Sequence, residues 1–232
     1  MASTDLQPYR TQLLAGHWFS NLPCNLQDEL LALAQLRPLA PGQRLFRRGD
    51  PPCGLYAVLD GTVRVGGTSE SGKEALLMMM ETPSWFGEIS LFDGLPRTHD
   101  AFAETATTLL NVPQAALLAL LQREPRYWRD FALLMSQKLR LAFIALEEMS
   151  LLPASQRLAR RLLMIAEGYG ETAERRRVIQ LAQEQLALML AVSRQTTNQI
   201  LKELEAQGVL RLTYGEIEIL DLERLRHAAR RP

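Results

Sequence analysis

The stretch with the clearest chemistry runs from Gln183 to Leu204. Leu186 and Leu190 share one face of a first helix, and Ile200, Leu201 and Leu204 supply the inward face of a second. Ser193 stands where the second helix begins, and its side-chain oxygen suits an N-cap, accepting from a backbone N–H of the first turn. That start puts Arg194, Gln195, Thr196, Asn198 and Gln199 in the opening turns, the part of a recognition helix that faces the major groove of DNA. Arginine pairs bidentately with guanine and glutamine with adenine. Thr196, Asn198 and Lys202 can instead reach phosphates, which fixes register without reading sequence. The plain alternative is a helical hairpin with a solvated polar face. The Ser cap, the apolar spacing and the strand pair that follows weigh against it. That pair, Val209 to Thr213 and Glu216 to Leu220 around a turn at Tyr214-Gly215, reads as a wing.

The elements that must position this unit read as follows. Up to about Val112 the chain is β-rich: Arg44 onward is a short strand candidate ending in turn chemistry at Gly49 to Pro52. Gly54 to Leu59 and Thr62 to Val65 read as two strands of a tight hairpin about Asp60-Gly61. Ala75 to Glu81 and Ala101 to Val112 are further strands, and Leu22 to Leu36 carries a helical apolar pattern. Short strands with frequent turns predict an antiparallel barrel or roll. Ala115 to Gln122 is a short helix before Pro125. Beyond it Trp128, Ala132, Met135, Leu139, Ala142, Leu146 and Met149 alternate in spacings of four and three, a coiled-coil seam of about three heptads. An ordinary core helix is the alternative, because Phe131, Leu134 and Phe143 broaden the apolar face. Pro153 ends the helix and marks the expected hinge. A helix from Ser155 to Glu167, a stop at Gly168 to Gly170 and a charged loop lead into the helical pair. The fold class expected is α+β: a sensor domain over residues 1–124, a dimerisation helix over 125–152 and a winged helix over 153–232.

Composition narrows the function. No run of 18 or more apolar residues spans a membrane. Residues 1–14 lack a basic flank before an apolar core, so no secretory signal is expected. Only two cysteines occur, Cys24 and Cys53; a disulfide framework is absent and a reducing cytoplasm is the simplest location. Residues 1–153 hold 13 basic and 16 acidic side chains, against 13 and 10 in residues 154–232, so the overall charge of zero divides into −3 and +3. A mildly basic tail domain is compatible with a DNA reader. Two cysteines cannot alone supply the usual four ligands of an iron–sulfur cluster. Haem has candidate ligands in His17, His99 and Cys53, but no second ligand at a telling spacing. With no metal cluster, nucleophile elbow or P-loop pattern, an enzyme is not expected.

The segment Val192 to Glu205 resembles the recognition helix of the CRP/FNR family of transcription regulators. In that family the positions matching Arg194, Gln195 and Gln199 face the bases. One departure is Ala182-Gln183 at the first helix, where members often carry a Thr cap. Phe86 to Thr98 is similar to the phosphate-binding cassette of the family's cyclic-nucleotide domain, and Gly49 and Gly61 fall at its β-roll turns. The resemblance covers nearly all the chain after the first twenty residues. It implies an N-terminal antiparallel β-roll and a nucleotide site at Gly87, Glu88, Ile89, Ser90, Arg97 and Thr98. Gly87 allows close backbone approach, a short helix after Glu88 offers N–H groups, and Glu88 can accept from a ribose hydroxyl. Arg97 supplies a fixed charge for the phosphate and Thr98 a hydroxyl. Members that bind cyclic AMP also contact the base through hydroxyl side chains on the long helix. Ala142 and Phe143 stand at those positions here and cannot hydrogen-bond. The effector thus stays open among cyclic AMP, cyclic GMP and cyclic di-GMP, a non-nucleotide signal, or none with a vestigial pocket. Arg97 pairing with Glu88 is the structural alternative. A palindromic duplex, a homodimer and RNA polymerase are the implied partners. A nucleotide-binding subunit acting on a protein is the rival that the winged helix opposes.

Overall fold

The computed structural model describes residues 6–170, 177–213 and 215–230. The expected charged loop after Gly170 and the turn residue Tyr214 lie outside the described residues. The rest divides into two compact units, residues 6–73 with 77–140 and residues 141–230 with 74–76.

The first unit opens with helices α1 (Gln7–Leu14), α2 (His17–Ser20) and α3 (Cys24–Leu33). Eight strands follow: β1 (Gln35–Leu39), β2 (Arg44–Phe46), β3 (Leu55–Asp60), β4 (Thr62–Thr68), β5 (Glu74–Glu81), β6 (Trp85–Phe86), β7 (Asp100–Ala103) and β8 (Thr107–Val112). They form two four-stranded sheets, β1-β8-β3-β6 and β2-β7-β4-β5. Helix α4 (Ile89–Asp93) interrupts the strands after β6, and α5 (Gln114–Arg123) follows them.

Strand β3 explains the layering. Its two faces alternate, as a pleated strand requires. Leu55, Ala57 and Leu59 join the cluster built by the helices, with Trp18, Phe19, Leu117 and Phe131. Tyr56 and Val58 join the interior of the roll, with Phe46, Val63, Phe86 and Leu109. Burial on both faces makes the strand an unbroken apolar run.

Three expectations change in detail. Strands β3 and β4 follow one another through Asp60-Gly61, yet they do not pair: β3 lies between β8 and β6, and β4 between β7 and β5. The Asp-Gly pair therefore carries the chain from one sheet to the other, not round a hairpin. The single strand expected at Ala101 to Val112 is two, in different sheets, with the bend at 104–106. The helix expected to reach Leu36 stops at Leu33, and β1 begins at Gln35. Pro38 within β1 is tolerated because β1 is an edge strand.

Helix α6 (Trp128–Leu151) enters the second unit near residue 141. Pro153 caps α7 (Ala154–Ala166). Across this break the buried Glu148 carboxylate pairs with Arg160 Nε at 2.6 Å, tying the end of α6 to α7. Next come β9 (Val178–Gln180), α8 (Gln183–Leu190), α9 (Arg194–Ala206), β10 (Leu210–Thr213), β11 (Glu216–Ile219) and α10 (Leu222–Ala228). The wing gains a third strand that the sequence pattern did not indicate, in the order β10-β11-β9, and α10 packs on α7.

Gly61 is the position where a side chain is least tolerable in the crossover. Its φ is +78°, and a Cβ there would meet Thr107 Oγ1 at 2.7 Å and overlap the Ala106 carbonyl. Gly61→Ala is expected to lower unfolding free energy by at least ~2 kcal/mol, combining left-handed strain with overpacking. A urea midpoint equal to that of the wild type would show that the crossover can relax.

Candidate ligand cradle and nucleic-acid interface

Strand β6 delivers Trp85 and Phe86 to the core and ends at Gly87, whose φ is +103°. A Cβ at Gly87 would meet the Gly54 carbonyl at 2.7 Å and Arg97 Nη1 at 3.0 Å, so only glycine lets these strands and this arginine converge. Glu88 precedes α4, and Gly94 ends that helix in the left-handed region. The chain then returns through Pro96 to Arg97, whose N–H donates to the Asp50 carbonyl at 2.8 Å.

Arg97 is 4% exposed and turned into the protein. Nη1 donates to the Gly87 carbonyl at 2.8 Å and Nη2 to the Gly54 carbonyl at 2.5 Å. Nε and Nη2 both point at Cys53 Sγ, at 3.3 and 3.1 Å. The guanidinium lies over the Phe46 ring at 4.6 Å and near that of Tyr56 at 5.8 Å. Burial, helped by the neighbouring Cys53, raises the pKa of the Tyr56 phenol and keeps it neutral.

Glu88 does not pair with Arg97. Its buried carboxylate takes Lys138 Nζ of α6 at 2.8 Å, and the same ammonium donates to the Trp85 carbonyl at 2.6 Å. Ser90 is buried, with its carbonyl accepting from Gln114 Nε2 at 3.0 Å, whereas Ile89 and Thr98 are exposed. The Thr98 hydroxyl lies 3.0 Å from His99 Nδ1, and the Thr98 carbonyl accepts from Arg48 Nε at 2.9 Å. Burial, then the charge on Arg48, holds His99 below its ordinary pKa. Gly87, Glu88 and Arg97 thus meet in one buried cluster, while Thr98 stands at its edge. Lys138 and Cys53 are the members that motif reading missed. A lone lysine on a helix and a thiol 44 residues from its partner leave no local pattern to find.

The second site is built on α8 and α9. Gln185 accepts from the Ala182 N–H at 3.0 Å, so α8 is capped by its own third residue without the hydroxyl cap. Ala191 turns the chain at φ +52°, and Ser193 caps α9 by accepting from the Thr196 N–H at 3.0 Å. Thr196 Oγ1 stays within 2.8 Å of that cap, and Thr197, buried, donates to the Ser193 carbonyl. Asn198 donates to Gln183 Oε1 at 2.8 Å, bracing α9 against α8. Arg194, Gln195, Gln199 and Lys202 are exposed together, and Gln195, Gln199 and Lys202 line a shallow groove with Glu203, which accepts from Gln199 at 3.1 Å.

Of the seam positions, Trp128, Ala132 and Met135 are half-buried, Trp128 with its ring centroid 5.2 Å from that of Phe92. Phe131 and Leu134 face the core. The later positions are open: Leu139 is 52% exposed, Leu146 59% and Met149 56%, with Phe143 beside them at 62%.

Comparison with known proteins covers the regions that hold both sites. The family profile described as a cyclic nucleotide-binding domain matches residues 36–124, and that described as a Crp-like helix-turn-helix domain matches residues 156–228. A CRP-like cAMP-activated global transcriptional regulator of Mycobacterium tuberculosis is 30% identical over 200 residues, covering 84% of this chain and 89% of that protein. The cyclic AMP receptor protein of Thermus thermophilus is 32% identical over 203 residues, covering 87% and 91%. A solved CRP/FNR-family regulator, also from Thermus thermophilus, superposes with a TM-score of 0.67 at 27% identity, over 84% of this chain and 98% of that one. No helix among the described residues is long and apolar enough to cross a membrane. With a β-roll in its first unit and a capped helix beside a wing in its second, and with these relatives, the chain belongs to the CRP/FNR family of DNA-binding transcription regulators.

Proposed function

We propose that this regulator works in the cytoplasm as a homodimer, joined along α6, that reads a palindromic operator when a cyclic nucleotide occupies the roll. The working division is a sensor over residues 1–124, a dimer helix over 125–152 and a reader over 153–232. The observation that carries the effector reading is the cluster of Gly87, Glu88 and Arg97 with Lys138. A ribose hydroxyl donating to Glu88 would compete with the Lys138 ammonium, so occupancy would be felt directly by α6. The names of two relatives support cyclic AMP as the first candidate. Cyclic GMP and cyclic di-GMP are the alternatives. The inward hydrogen bonds of Arg97 favour a second reading, a roll that keeps its form without taking a nucleotide.

On the DNA side, Arg194, Gln195 and Gln199 read base edges, and Lys202 meets a phosphate. Thr196 and Asn198 hold the helix in place, since their side chains are engaged within the protein. Two copies set about 34 Å apart match successive major-groove faces of a palindrome. RNA polymerase is the machinery on which such a dimer acts.

Three measurements test this. Calorimetric titration with the three nucleotides should give saturable heat from one of them, lost in Arg97→Ala; heat from none would leave the vestigial reading. Arg194→Ala should weaken operator binding by about 1–3 kcal/mol and relax one position of the footprint, whereas an unchanged footprint removes Arg194 from base reading. Leu146→Asp, at an exposed position, should convert the dimer to a folded monomer in light scattering. A wild type that is itself monomeric would refute the seam.

A further inference from the structure

We infer that Cys53 is a positioning residue that sets nucleotide affinity, because its sulfur occupies the guanidinium fork with which Arg97 would grip a phosphate. The inference rests on the cyclic-nucleotide reading of the roll. A guanidinium has five N–H donors and recognises phosphate through two parallel ones. Here the Nε–Nη2 edge faces a single acceptor, Cys53 Sγ, at 3.3 and 3.1 Å. The second Nη2 hydrogen goes to the Gly54 carbonyl and one from Nη1 to the Gly87 carbonyl. Phe46 and Tyr56 flank the group. One N–H is therefore left over, too few for a bidentate grip unless the sulfur gives way.

The backbone that carries the sulfur has little room to shift, so the sulfur leaves the arginine only by turning about its own Cα–Cβ bond. Gly54, next in sequence, has φ +112° and fits so closely that a Cβ there would overlap the Val112 carbonyl and lie 2.8 Å from the Gln114 nitrogen. The Cys53 carbonyl also accepts from Asn111 Nδ2 at 3.5 Å. What holds the thiol at the arginine is its pair of contacts with Nε and Nη2. The choice of element then matters. Sulfur is a weak acceptor, so it satisfies a buried guanidinium in the free protein and yields to a charged phosphate oxygen. A carboxylate at the same place would hold the fork; a methyl group would leave it open.

The test is calorimetric titration of the full-length protein with cyclic AMP, using wild type, Cys53→Ala and Cys53→Asp, with urea midpoints recorded for each. Cys53→Ala should bind about fivefold more tightly, as one net hydrogen bond's worth of competition disappears. Cys53→Asp should bind at least about tenfold more weakly at an unchanged or higher midpoint, since its carboxylate satisfies the arginine. Affinities of both variants within twofold of wild type would overturn the inference. If wild type takes up none of cyclic AMP, cyclic GMP and cyclic di-GMP, the effector reading fails and the arginine itself decides the positioning claim. Its Nε–H resonance, identified by its loss in Arg97→Lys, should be protected from solvent exchange in wild type and broadened in Cys53→Ala. A resonance identical in the two proteins would show that the thiol positions nothing.

Discussion

A permanently charged guanidinium enclosed by the roll is the constraint around which the sensor unit is arranged. Burying such a charge without partners costs several kcal/mol even after relaxation. Two separate segments converge to supply three acceptors: the β6 exit at Gly87, and the approach to β3, where Cys53 and Gly54 stand side by side. Two of those positions are glycines at positive φ, because a Cβ at either would strike the backbone that must approach. The aromatic side chains of Phe46 and Tyr56 do double duty, filling the roll and lying over the charge. The proposed binding cradle and a structural staple are therefore the same set of atoms. On that proposal, a ligand that takes hold of Arg97 competes with what joins the approach to β3 to Gly87.

The sequence of helix α6 serves two environments. In its first three turns Phe131 and Leu134 belong to the aromatic cluster around Trp18 and Trp85, and Trp18 Nε1 donates to the Asp130 carbonyl at 2.8 Å. Lys138 follows, bonded to Glu88 and to the strand that bears it. Beyond residue 140 the apolar residues continue but the core does not, and Phe143, Leu146 and Met149 are open. A monomer rarely leaves such a stripe uncovered, since large exposed apolar patches mark interaction surfaces. The core face noted in the sequence is thus present in the first half of the helix, and the later seam positions Leu139, Leu146 and Met149 stand exposed in the second.

Local signals were legible in the sequence and long-range ones were not. Ser193 announces a helix start through its own chemistry, and the structure has it capping that helix. Gly87 reads as room for a ligand, and what approaches it closely in the structure is the Gly54 carbonyl and Arg97. The Asp60-Gly61 pair also marks a real reversal, but dipeptide chemistry fixes only the local dihedrals and not which strands pair; the twist of the roll sends β3 and β4 to different sheets. Strand β1 was hidden because Pro38 argues against a strand unless its edge position is known. The partners of Glu88 and Arg97 were invisible for the same kind of reason. Lys138 lies 50 residues from Glu88 and Cys53 lies 44 from Arg97, distances at which spacing carries no periodicity.

The recognition helix separates support from reading by the geometry of its cap. Side chains on the inner flank of the first two turns face the turn and α8, so their polar atoms find protein partners: Thr196 at the Ser193 hydroxyl, Thr197 at the Ser193 carbonyl, Asn198 at Gln183. The first two are local to the cap, and the third, from Asn198 to Gln183 of α8, bears on the azimuth of the helix about its own axis. That azimuth decides which side chains are left outside, and Arg194, Gln195, Gln199 and Lys202 are the ones exposed. The polar residues thus divide by angle and not by type. Thr196 and Asn198, equally suited by type to contact DNA, have their polar atoms engaged within the protein. If the exposed set reads bases as proposed, loosening the bond to α8 would blur sequence discrimination before it weakened affinity, because phosphate attraction tolerates rotation of the helix while bidentate pairing with a base edge does not.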